Sequence, residues 1–200
     1  MRRALLAALG AALALTALTA CDSGPSAPGE SKVAVDTPQL RQLKARTGIE
    51  DCAPGHGTDG GLPAITLPCL GGGPAVDLSS LKGPMIVNLW ASNCGPCREE
   101  MPALQDFYQR YGDRVAVLGI DYQDTQPAAA LELARRSRVT YPLLADPGGD
   151  VNARAPVPVI RGIPFFLFVK PDGTVSAAAG GIDSADALVK LADEHLGVRL

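Results

Sequence analysis

Apolar residues along this chain fall into two rhythms, short unbroken runs and stripes that recur every three or four positions. Met85-Ile86-Val87-Asn88-Leu89-Trp90 and Val115-Ala116-Val117-Leu118-Gly119-Ile120 are nearly continuous runs, the pattern of strands covered on both faces. Residues 165–169 read the same way. Met101, Leu104, Tyr108 and Tyr111 share one stripe, which predicts a helix over 97–111 that Gly112 stops. A second helix is predicted over 127–138, with Asp124 or Thr125 as its cap. Residues 64–67 suit an outer strand, and 76–81 a short extended piece and turn. Pro171-Asp172-Gly173 turns the chain back into 174–178 as an antiparallel hairpin. Asp183 or Ser184 caps a last helix carrying Leu188, Leu191, Ala192 and Leu196. Thr37-Pro38 opens a short helix through residue 46, with Leu40 and Leu43 on one side. Strands interleaved with helices predict an α/β fold: a central mixed sheet with helices on both faces, preceded by an N-terminal extension.

The first residues have a different character. Arg2 and Arg3 precede an uncharged apolar run over 4–15, the layout of a secretory signal peptide. The run is short for a membrane span, which needs about 20 apolar residues. It ends in Leu18-Thr19-Ala20-Cys21, which resembles the bacterial lipobox, where a cysteine receives a diacylglyceryl group before cleavage. Cys21 would then be the lipidated N-terminus, held stably because two or more acyl chains anchor where one does not. Plain secretion is the alternative. Residues 21–37, rich in Ser, Pro and Gly at their start, read as a flexible tether. Residues 38–59 form the extension, and 60–200 the domain.

Two hundred residues suit one domain with attachments. The formal charge is −3, and losing Arg2 and Arg3 makes the rest more acidic. No basic surface for nucleic acid is expected.

The chemistry-bearing residues are cysteines. Beyond Cys21 there are four, at 52, 69, 94 and 97, an even number in a secreted, oxidising setting. Cys94-Gly95-Pro96-Cys97 stands between a buried strand and a helix. A helix N-terminus offers unpaired N–H groups and about half a positive charge, so Cys94 should be a stabilised, nucleophilic thiolate. Two intervening residues let Cys97 close a disulfide with it and later resolve a mixed disulfide. A zinc site would need a second close ligand pair, and Cys52 and Cys69 are too far apart in sequence to supply one. Those two cysteines suit a structural disulfide worth about 3 kcal/mol in the chain-entropy model. An auxiliary redox pair passing electrons to Cys94 is the sharper alternative. His56, in a Gly-rich loop, and His195, near the last helix end, are not convincing catalysts.

Cys-Gly-Pro-Cys after such a strand resembles the active site of the thioredoxin superfamily, and the flanks resemble its membrane-anchored TlpA/ResA-like branch. Pro102 matches the proline that kinks the family's active-site helix. Gly162-Ile163-Pro164 matches the loop that carries its cis-proline. The likeness covers roughly residues 60–196 and implies a thioredoxin fold, with Trp90 and the backbone of Ile163 and Pro164 as substrate-binding positions. Thioredoxin itself has a titrating Asp where this chain has Asn88. The resemblance instead gives the acid–base role to Glu100, although Glu99 and Glu100 also suit a solvated helix start. Asn93 stands where the family commonly has an aromatic residue, which makes the rim of the site more polar.

The resemblance implies a lipid-anchored extracytoplasmic thiol–disulfide oxidoreductase whose only redox centre is its own disulfide, with no cofactor and no metal. It would be a monomer that reduces protein disulfides, apocytochrome c for example, with electrons from a membrane thiol donor. A Cu(I)-binding chaperone using Cys94 and Cys97 is the alternative from another class. A peroxidase of the same fold would need a lone reactive cysteine in a different loop.

Overall fold

A computed structural model describes residues 31–57 and 59–200. The signal segment 1–20, Cys21 and the first part of the tether lie outside the described residues. The remaining part of that tether is held in place. Val35 is buried, its carbonyl accepts the Gly71 N–H at 2.9 Å, and Thr37 Oγ1 caps the helix that follows. Packing against the rest of the protein therefore begins ahead of residue 37, the expected end of the tether.

That helix, α1, is Pro38–Lys44. A two-stranded antiparallel ladder pairs β1 (Thr66–Leu67) with β2 (Val76–Asp77), and a 3-10 turn follows at Leu78–Ser80. The main sheet holds β3 (Met85–Trp90), β4 (Ala116–Tyr122), β5 (Leu143–Asp146), β6 (Phe165–Val169) and β7 (Val175–Ala179), in the order β5-β4-β3-β6-β7. β3, β4 and β5 run parallel, whereas β6 and β7 run antiparallel to their neighbours. The helices are α2 (Gly95–Tyr111), α3 (Pro127–Arg136) and α4 (Ala185–Leu196). This is a thioredoxin fold. Every residue of β3 is buried, as its unbroken apolar run requires of a central strand.

The two faces of the sheet are covered differently. Ile86, Trp90, Val117, Phe166 and Phe168 share a core with buried residues of all four α-helices. Met85, Val87, Leu89, Leu118, Ile120 and Phe165 pack instead against Leu67, Val76, Leu78, Val157 and Ile160. Helices on both faces were expected; among the described residues, only the 3-10 turn fits that description on the second face. The reason is topological. The crossovers β3 to β4 and β4 to β5 step the same way across the sheet, and right-handedness then puts α2 and α3 on one side. The short ladder and the irregular segment 147–162 close the other.

β5 was not foreseen. Its four residues lie between Pro142 and Pro147, and only pairing with β4 makes them a strand. The cap of α3 also differs, since Gln126 takes that position and Asp124 accepts its N–H from two residues upstream at 2.7 Å. Ser184 caps α4 as one of the two expected residues.

Candidate redox site at the start of helix α2

The junction between β3 and α2 carries the site. Cys94 is the N-cap of α2, extended at φ −83° and ψ 114°, and its Sγ accepts the Cys97 N–H at 3.2 Å. The two sulfurs are bonded, with Cα atoms 5.3 Å apart. Cys94 keeps 9% of its surface exposed and Cys97 none. An attacking group therefore meets Cys94 first, and Cys97 waits behind it. On reduction the donor that faces Cys94 Sγ, together with the helix N-terminus, favours the thiolate.

The loop ahead of α2 is fixed on both sides. The Ser92 N–H donates to Asp124 Oδ2 at 2.7 Å, and the Ser92 carbonyl accepts from Arg98 at 3.2 Å. Across the site, the Ile163 carbonyl lies 3.7 Å from Cys94 Sγ, and the Ile163–Pro164 peptide is cis. The structure thus brings Cys94, Cys97, Ile163 and Pro164 together. Asn93, Arg161 and Gly162 form the exposed ground beside them.

Glu100 lies in α2 one turn beyond the disulfide, completely buried. Its Oε1 accepts from Asn88 Nδ2 at 2.8 Å, while Oε2 has no partner at hydrogen-bonding geometry. Burial pushes this carboxyl up to about 7, against the opposing pull of Asn88 and the nearby Ile182 amide. The reading of Glu100 as part of a solvated helix start does not fit that burial. A carboxyl tuned to neutrality and placed within the site's own helix can take or give a proton at physiological pH.

Trp90 was expected to line the substrate surface, and it does not. It has no exposed surface, because it points with Ile86 into the helix-covered core. Gly119 leaves it room, since a Cβ there would stand 3.1 Å from Trp90 Nε1. The indole supports the site from beneath.

Sequence reasoning missed a buried acidic pair beside the site. Asp121 is opposite Trp90 in the β3–β4 register and is 1% exposed. Burial drives its carboxyl well up, aided by Asp124. Burial also raises Asp124, yet its bonds to Ser92 and Gln126 outweigh this and hold it below the ordinary value. The signal available was two acids three residues apart at the end of an apolar strand, Ile120-Asp121-Tyr122-Gln123-Asp124. Tyr141 is also wholly buried without a hydroxyl partner, and burial and the Glu100 charge push it up. Among the described residues, no cluster of three or more His, Cys, Asp or Glu is placed to hold a metal ion.

Cys52 and Cys69 are bonded to each other, with Cα atoms 5.9 Å apart. The pair fastens the segment before the domain to the β5 side, where Cys69 bridges to Leu144. His56 is exposed; His195 stacks on Phe168 at 4.3 Å and shares a hydrogen bond with Ser176.

A disulfide capping the helix that follows the central strand of a mixed sheet, facing a cis-proline loop, defines a thioredoxin-like protein. The chain belongs to the AhpC/TSA family, whose profile matches residues 60–178. It is similar to the thiol:disulfide interchange protein HelX of Rhodobacter capsulatus, with 32% identity over 67% of this chain and 74% of that protein. The thiol-disulfide oxidoreductase ResA of Oceanobacillus iheyensis is 30% identical over 56% of this chain and 58% of its own length. With ResA, then, the match spans less than two thirds of the relative. Among solved structures, a secreted Mycobacterium tuberculosis disulfide oxidoreductase homologous to E. coli DsbE aligns with a TM-score of 0.53 and 25% identity, over 62% of this chain and 91% of that one.

Proposed function

We propose that this chain is an extracytoplasmic thiol–disulfide oxidoreductase that reduces disulfides in protein substrates through Cys94 and Cys97. The observation that carries the reading is Cys94 Sγ at the N-cap of α2, accepting the Cys97 N–H beside the Ile163 carbonyl. The names of HelX and ResA support it.

In the reduced protein, Cys94 thiolate attacks a substrate disulfide. One substrate sulfur leaves as a thiolate and a mixed disulfide forms at Cys94. Cys97 gives up its proton, with Glu100 as the acceptor closest in character, and attacks Cys94 Sγ. The substrate departs with both cysteines reduced, and the protein keeps the electron-poor disulfide of this structure. An extended substrate segment lies along Ile163 and Pro164. A membrane thiol donor restores the dithiol. The signal-like segment 1–20 and Cys21 support a lipid anchor on the outer face of the membrane, and apocytochrome c is the substrate class the resemblance implies.

The test is capture. Replacing Cys97 with Ser leaves Cys94 able to form the mixed disulfide but nothing to resolve it. Cells making Cys97→Ser should accumulate covalent complexes at Cys94, and mass spectrometry identifies the partner. Complexes at Cys52 or Cys69 with none at Cys94 would overturn the reading.

A further inference from the structure

Lys44 sits in the last turn of α1 with 8% of its surface exposed. Its ammonium donates to the Gly72 carbonyl at 2.8 Å and lies 3.2 Å from Cys69 Sγ. The carboxylate it reaches, Asp51 at 3.4 Å, is 89% exposed. A buried ammonium calls for a negative partner, and a water-exposed aspartate answers that weakly. The sulfur it touches is neutral in the disulfide. Once the Cys52–Cys69 bond is broken, Cys69 becomes an anion already facing a cation.

The two cysteines are both buried, 2% and 1% exposed, yet their surroundings differ. Cys69 is locked to the sheet through its bridge to Leu144. Cys52 instead forms part of the wall of a cavity of about 540 Å³, and Cys69 does not. Tyr108, Met85 and Leu118 also line this cavity, as do the exposed His56 and Lys82. It is lined by none of the residues around Cys94.

We propose that Cys52–Cys69 is a second exchange centre, opened at Cys52 by a low-molecular-weight thiol that enters this cavity, with Cys69 leaving as the thiolate partner of Lys44. The small thiolate attacks Cys52 Sγ, the bond to Cys69 breaks, and its electron pair goes to Cys69. A second thiolate then attacks the mixed disulfide, releasing the small-molecule disulfide and Cys52. Two thiols are oxidised and one protein disulfide is reduced. Lys44 accelerates the first step because a better-stabilised leaving thiolate leaves faster. His56 and Lys82 suit a thiol that also carries carboxylates.

The step does not depend on Cys94 or Cys97, so the full chain with Cys94→Ser and Cys97→Ser tests it separately. The probe is glutathione at millimolar concentration, followed by rapid alkylation and peptide mass spectrometry. The expected adduct is on Cys52, and Lys44→Met should slow opening about tenfold, with Lys44→Arg close to the parent. A lysine that only packs would give the opposite sign, because Lys44→Met would loosen the region and speed opening. An adduct on Cys69, an unchanged or faster rate in a folded Lys44→Met, or a bond that stays closed in glutathione overturns the proposal. Should Lys44→Met fail to fold by circular dichroism, the position of the adduct in the parent decides.

Discussion

Glu100 and Asn88 are joined inside the protein, Oε1 of the carboxyl accepting from Nδ2 of the amide at 2.8 Å. Asn88 cannot titrate, so the proton that a buried acid would hold on β3 is held one element away, on α2. The shift of Glu100 to about 7 should make the rate of exchange sensitive to pH near neutrality. Glu100→Gln should flatten that part of the profile and slow resolution by Cys97. The measurement is the rate of disulfide reduction between pH 5.5 and 8.5 in both proteins. Superimposable profiles would remove Glu100 from the chemistry.

Stability should carry the same signature. The folded carboxyl is raised above its ordinary 4.5, so the folded state binds the proton more tightly than the unfolded chain. Its contribution is fully present below about 4.5 and is lost as pH rises through about 7. A shift of this size corresponds to about 3 kcal/mol. Urea midpoints should therefore fall with pH more steeply in the parent than in Glu100→Gln, and above pH 7 the variant should be the more stable of the two. Parallel midpoint curves would contradict the burial argument.

Asp124 works in the other direction. Its folded carboxyl is held below the ordinary 3.8, so its contribution exists above that value and disappears as pH falls through the folded one. Asp124→Asn should cost about 1–3 kcal/mol at pH 7, where two partly buried hydrogen bonds from backbone N–H groups lose a charged acceptor. The deficit should shrink in acid. Because Ser92 lies two residues before Cys94, the variant should also change the rate at which Cys94 alkylates.

Gly119 has no room for a side chain. A Cβ there would stand 2.5 Å from Leu143 Cδ2 as well as close to Trp90 and Tyr141. Gly119→Ala should destabilise by about 1–3 kcal/mol through overpacking, read as a lowered thermal midpoint. An unchanged midpoint would mean that the layer under the site yields more than its burial suggests.

What could be read from the sequence depended on how locally each feature is encoded. β3 and α2 are written in unbroken or periodic runs, and Cys94 and Cys97 fall in the junction between them, so the elements and the place of the pair were legible. β5 is four residues between prolines and exists only through its ladder with β4. The burial of Trp90 depends on Gly119 of another strand, and the side chosen by α3 depends on handedness across the sheet. Asp121 became significant only when the fold set it opposite Trp90. In each case the missing information lay in a pairing between distant residues, which periodicity does not carry.

Val35 is the point at which the chain becomes part of the folded body. Should acyl groups reside on Cys21, the stretch from there to Val35 is a leash of at most about 50 Å when drawn fully straight. The Cys94–Cys97 disulfide would then be confined to a thin shell above the bilayer, and only polypeptides passing through that shell would come within its range.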